Sequence, residues 1–86
     1  MMHVWKPSPE EIRETEQWGT WNKEVSEFPW SYNETETCYI LDGEAVVVDK
    51  DGNEVQFQKG DMVRFEQGVE CTWKIVSEIR KKYIFG

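Results

Sequence analysis

The sequence predicts an all-β domain, an antiparallel sandwich or barrel with a short helix near its N-terminus. Short apolar and aromatic runs, several with polar residues at alternate positions, recur from Trp21 to Phe85, the pattern of half-buried strands. Turn signals divide them at intervals of roughly ten residues, the rhythm of sandwiches and barrels. A length of 86 residues makes a single domain, 1–86, with an N-terminal segment expected over 1–20 and the barrel over 21–86. An aromatic content of 14% places the chain outside the disordered class.

Taken in order, Met1 to Pro7 carries neither the apolar stretch nor the small-residue cleavage site of a secretory signal. No apolar run nears the ~20 residues of a membrane span, so the expected location is the cytoplasm. Ser8-Pro9-Glu10-Glu11 reads as a helix start: Ser8 caps, Pro9 suits the first turn, and Glu11 completes a capping box. Gly19 ends the helical stretch near Gln17-Trp18. Strands are then expected over 21–25, 28–32, 37–41, 44–48, 55–57, 62–65, 70–76 and 80–85. Pro29 marks its strand as an edge or bulge. Asp42-Gly43 between two apolar runs predicts a tight hairpin joining 36–41 to 44–48.

Charge and residue inventory narrow the chemistry. The net charge is −7, which repels phosphate backbones and argues against nucleic acid or an anionic membrane as partner. The basic run Arg80-Lys81-Lys82 reads as a solvated strand end, with an anion contact as the alternative. Two cysteines, Cys38 and Cys71, are too few for a secreted disulfide scaffold and lack Cys-x-x-Cys spacing. Buried free thiols are expected, with a disulfide between them or soft-metal ligation by Cys71 with Glu36 as the alternatives. The single histidine, His3, stands at an expectedly mobile terminus, so a triad, a Cys-His pair or a multi-histidine site would need His3 or a partner chain.

Glu36, six residues, Gly43 and then Gly60, five residues, Glu66-Gln67-Gly68, two residues, Cys71 follow the spacing of the two cupin motifs. With the strings ETCYILDGEAVV, KGDMVRFEQGVECTWKI and RKKYIFG, residues 28–85 resemble the small single-domain cupins of the ureidoglycine aminohydrolase type. The resemblance implies a cupin jelly-roll barrel. It also places the family's motif histidines on Trp30, Tyr32 and Cys71, so that Glu36 alone remains of the usual metal ligands. It therefore implies no metal, and no cofactor is expected.

Strand alternation puts Trp30, Tyr32, Glu36 and Cys38 on one face, and Cys71 and Trp73 on the corresponding face of another strand. By the resemblance, both rows point into the barrel. The expected binding residues are Trp30, Tyr32, Glu36, Cys71 and Trp73. The aromatics serve either as barrel filling or as a wall that stacks on a ligand. Glu36 either bonds to Tyr32 or nearby backbone or serves a ligand, since a bare carboxylate inside a barrel costs several kcal/mol. No lysine or arginine shares the row of residues 30–40, so that row leaves the charge unpaired. Trp5, Trp18 and Trp21 are expected on the outer face, at one end or in a homodimer contact. The reading is a stand-alone cupin binding a small molecule. Its rivals are a metal-dependent enzyme similar to ureidoglycine aminohydrolase and a protein-interaction module.

Overall fold

The computed structural model describes residues 1–86. Strand β1 (Met2–Trp5) precedes helix α1 (Pro9–Glu14), which runs into a single 3-10 turn at Thr15–Gln17. Six strands follow: β2 (Gly19–Lys23), β3 (Ser26–Ser31), β4 (Glu36–Asp49), β5 (Glu54–Gln58), β6 (Met62–Phe65) and β7 (Glu70–Phe85). The capping box forms as the sequence indicates. Glu11 N donates to Ser8 Oγ at 3.2 Å, and Ser8 N donates to Glu11 Oε1 at 2.9 Å.

Two long strands organise the barrel. β4 has 14 residues and β7 has 16, and they pair antiparallel along nearly their whole length. The first half of β4 also pairs with β6, and its second half with β5. The last third of β7 pairs with β2 and its first half with β3. Each long strand thus belongs to both walls, one built from β1, β6, β4, β7 and β2 and the other from β5, β4, β7 and β3.

Asp42-Gly43 does not make the expected hairpin. β4 runs straight through it, and the register against β7 shifts between Ile40 and Ala45 instead. The dipeptide is a bulge that bends β4 from one wall to the other. Gly43 has φ +91°, and a Cβ there would lie 2.0 Å from the Glu78 carbonyl oxygen. The positive φ that suits a tight turn also suits a bulge, so the local signal is the same for both. Likewise 70–76 and 80–85 are one strand, because no glycine or proline interrupts Ser77-Glu78-Ile79.

The N-terminus forms a strand paired with β6. His3 sits in β1 opposite Arg64, and its Nε2 lies 2.9 Å from Glu66 Oε2. Trp5 covers the outer face as expected: its indole donates to Glu11 Oε2 at 3.2 Å, and the Arg64 guanidinium lies 5.4 Å from its ring.

The core centres on Trp73, which is 2% exposed. Its ring lies 5.4 Å from Phe57 and 5.5 Å from Phe65 on one side, and 6.1 Å from Phe28 and 6.2 Å from Trp21 on the other. Burying a tryptophan removes about 150–250 Å² from water, worth roughly 4–6 kcal/mol as an upper bound. In a chain this small, that one side chain largely decides where the core sits.

Candidate functional site

A cavity of about 160 Å³ opens between β2, β3 and the end of β7. Trp21 comes from β2, and Phe28 and Trp30 from β3. Tyr32 and Glu36 flank the β3–β4 connection, and Trp73, Lys81, Tyr83 and Phe85 come from β7. The β2–β7 register sets Trp21 opposite Lys81 and Gly19 opposite Tyr83. A Cβ on Gly19 would meet the Tyr83 ring at 2.7 Å, so glycine lets that ring lie across β2 and wall the cavity.

Its floor is polar. Lys81 Nζ lies 3.0 Å from Glu36 Oε2 and donates to Cys38 Sγ at 3.3 Å, while the Cys38 thiol donates to the same Glu36 oxygen at 3.3 Å. Lys81 and Glu36 are each 5% exposed. The ammonium also sits between two indoles, 4.8 Å from Trp21 and 4.9 Å from Trp73, a desolvated cation–π arrangement. Burial works against the ammonium, but the Cys38 sulfur and the Glu36 carboxylate more than offset it and hold Lys81 above the usual lysine range. Burial, with Glu36 beside it, pushes the Cys38 thiol up to about 12 despite the nearby lysine. Above the floor, Trp73 Nε1 donates to Tyr32 Oη at 3.1 Å, and Tyr32 stacks on Phe65 at 4.7 Å. Burial and the Glu36 charge raise the Tyr32 phenol well above its ordinary value.

Of the residues expected from the sequence, the structure brings Tyr32, Glu36, Trp73 and Trp30 to one cavity. Trp30 stands at the mouth, 52% exposed, rather than inside. Cys71 does not join them. It is buried, but its Sγ meets the Trp30 carbonyl oxygen at 3.5 Å and it borders a separate groove near Asp49 and Lys50. Burial pushes its thiol up to about 11, with Asp49 adding to the effect. Both cysteines are free.

Lys81 is the residue the sequence reading set on the surface, and it is the one cation in the cavity. Its neighbours Arg80 and Lys82 do face away from the core. Lys81 shares the odd row of Cys71, Trp73, Ile75, Ile79 and Tyr83, and that alternation is the signal that marks it as inward. Trp21, expected on the outer face, at one end or in a homodimer contact, turns in on the same account, since it pairs directly with Lys81.

The cupin motif positions do not fit a divalent metal here. Trp30 offers only an N–H donor, and Tyr32 stays a neutral phenol bonded to Trp73. Cys71 lies outside the cavity, and Glu36 is already neutralised by Lys81. No three His, Cys, Asp or Glu side chains converge on a common point.

Comparison with known proteins agrees with the architecture. Residues 10–83 match the family described as the EutQ-like cupin domain. A DUF861-family protein from Thermotoga maritima superposes over 100% of both chains at 43% identity and a TM-score of 0.96. The EutQ protein of Clostridium difficile matches 78% of this chain at 22% identity and a TM-score of 0.72, and the chain spans about half of it, 52%. A putative ethanolamine utilization protein Q from Salmonella typhimurium matches 98% of this chain and 68% of its own at 20% identity and a TM-score of 0.71. At those two lower identities the likeness speaks for the fold alone. No functionally curated protein matches. No helix is long and apolar enough to cross a membrane.

Proposed function

This chain belongs to the EutQ-like cupin family, and on that premise we propose that it binds one ring-sized, uncharged organic molecule in its aromatic cavity. The observation that carries the reading is the Lys81–Glu36 pair, buried from bulk water yet forming the cavity floor. Desolvating two charges costs several kcal/mol per ion, and apolar residues of similar volume are often at least as stabilising. A pair of this kind is a poor stability device for an 86-residue chain and a good recognition device. The lysine supplies a tethered positive charge where the cupin pattern elsewhere uses a metal.

The size of the cavity, about 160 Å³, suits a single ring, since an apolar cavity of about 150 Å³ takes up benzene. Aromatic walls offer stacking of about 0.5–1.5 kcal/mol per ring pair. The pair is neutral as a whole, so a charged ligand would meet one attractive and one repulsive group. Binding is favoured over covalent catalysis. A protonated lysine amine and a thiol pushed up to about 12 are not nucleophiles near neutral pH. Two reduced buried thiols suit the cytoplasm, and a net charge of −7 suits a partner other than nucleic acid or an anionic membrane.

A panel of ring-sized fragments, titrated with tryptophan fluorescence as readout, tests this. The expected result is saturable binding at one site per chain, weakened several-fold by Trp30→Ala at the cavity mouth. Failure of every fragment to bind at millimolar concentration would refute it.

A further inference from the structure

We infer that the ligand of this cavity is a neutral cyclic amide, whose N–H and C=O lie side by side on one edge of the ring; the inference rests on the binding role proposed above. Glu36 uses only one of its oxygens within the protein. Oε2 accepts from both Lys81 and Cys38, while Oε1 has no partner. No side-chain oxygen or nitrogen is both sealed and unpartnered, and Glu36 lines the cavity. Oε1 is therefore the acceptor that the floor presents to a ligand.

Two donors stand with it on the cavity wall. Lys81 has three N–H groups. One goes to Glu36 and one to Cys38, and the third has no oxygen, nitrogen or sulfur acceptor within the protein. The Tyr32 hydroxyl accepts from Trp73 Nε1, and its own proton has no acceptor within the protein. One carboxylate acceptor and two donors ask for one donor and one oxygen with two lone pairs.

A secondary open-chain amide does not supply these together, because its peptide-like bond is trans and N–H and C=O point to opposite sides. A primary carboxamide does, but its second N–H would be left without an acceptor against the aromatic wall. Ring closure locks the cis form and sets both groups on one edge. A ligand carboxylate would satisfy Lys81 but place negative charge against Glu36 Oε1. A ligand ammonium would do the reverse against Lys81. The planar ring then lies in the apolar part of the cavity, walled by Trp21, Phe28 and Trp73.

The test uses the whole chain at pH 7 and a matched series of probes measured by isothermal titration: 2-pyridone, N-methyl-2-pyridone, benzoate, benzylamine and toluene. The expected result is that 2-pyridone binds one per chain and that each of the other four binds at least tenfold more weakly. Glu36→Gln, with its fold checked by circular dichroism, should lower 2-pyridone affinity about tenfold and leave toluene unchanged. If N-methyl-2-pyridone, benzoate or benzylamine binds as well as 2-pyridone, the cyclic-amide assignment is wrong while the cavity remains a binding site. If toluene does, the polar floor takes no part in recognition and the assignment is wrong on that ground. If none of the five binds at millimolar concentration, the binding function itself falls, and this inference with it.

Discussion

Lys81→Met keeps the length of the side chain and removes its charge, leaving Glu36 as a lone carboxylate that is 5% exposed. Breaking a buried pair from one side costs about 3–5 kcal/mol. A ceiling applies, because the stranded carboxylate escapes by taking up a proton on folding. For an ordinary glutamate, half-protonated near pH 4.3, protonation at pH 7 costs about 3.7 kcal/mol, at about 1.4 kcal/mol per pH unit. The expected loss at pH 7 is therefore about 3–4 kcal/mol, a large share of the roughly 4–13 kcal/mol that a chain this size commands. In the variant the fold favours the protonated acid. Its stability is then fully recovered below about pH 4.3 and declines as pH rises, so the deficit shrinks by about 1.4 kcal/mol per unit on acidification. Urea unfolding followed by tryptophan fluorescence at pH 7, 6 and 5 measures this. The double variant Lys81→Met, Glu36→Leu should recover most of the loss, since an apolar replacement leaves no charge to strand. A cost under about 1 kcal/mol at pH 7, or a double variant no better than the single one, would refute the reasoning and show that water reaches the pair freely.

Other expectations follow from the same geometry. Gly52→Ala and Gly43→Ala both force alanine to positive φ, but only Gly43 faces a backbone oxygen at 2.0 Å from the added Cβ. Gly52→Ala should cost about 1 kcal/mol, or roughly 4–8 °C in Tm, and Gly43→Ala at least twice that in a thermal melt. At pH 8, Cys38 should resist iodoacetamide in the native protein and react once urea unfolds the chain, as mass spectrometry of the labelled peptides would show. Rapid native labelling would mean that the floor opens. Cys38, whose folded thiol is pushed up to about 12, favours folding fully below about pH 8.5 and loses that contribution as pH rises toward the folded value. Cys38→Ala should therefore lose less stability than the wild type between pH 9 and 11, measured by urea midpoints. Lys81 has the same sign: held above the usual range by its partners, it supports folding fully below about pH 10.4 and less above.

Much of the site was legible from strand alternation and motif spacing. The row of Trp30, Tyr32 and Glu36 and the row of Trp73 do meet, because β3 and β4 both pair with β7. Alternation gives the face of a strand but not the position along it. Cys71 points inward as its parity implies, yet it lies ten residues before Lys81 on β7, at the other end of the barrel. Lys81 was hidden by its neighbours, since Arg80-Lys81-Lys82 looks like a solvated run although its middle member lies on the buried row. Its bond to Glu36 spans 45 residues and depends on the register that sets Ile40 against Lys81, which no local pattern encodes. The strand at Met2–Trp5 has no local signature, because its pairing partner, β6, lies some sixty residues onward. The bulge at Gly43 carries the same local signature as a hairpin, because positive φ marks a bend without saying whether the chain turns back.

The most direct test of the account is the indole region of a ¹⁵N-resolved NMR spectrum, in which each of the five tryptophans gives one N–H signal. During titration with 2-pyridone the account predicts that the indoles of Trp21, Trp30 and Trp73, which line the cavity, shift together along a single saturable curve. Trp5 and Trp18, outside it, should stay in place. Stationary signals throughout would contradict the cyclic-amide assignment, and movement confined to Trp5 and Trp18 would contradict the claim that the cavity over the Lys81–Glu36 pair is where this cupin binds its ligand.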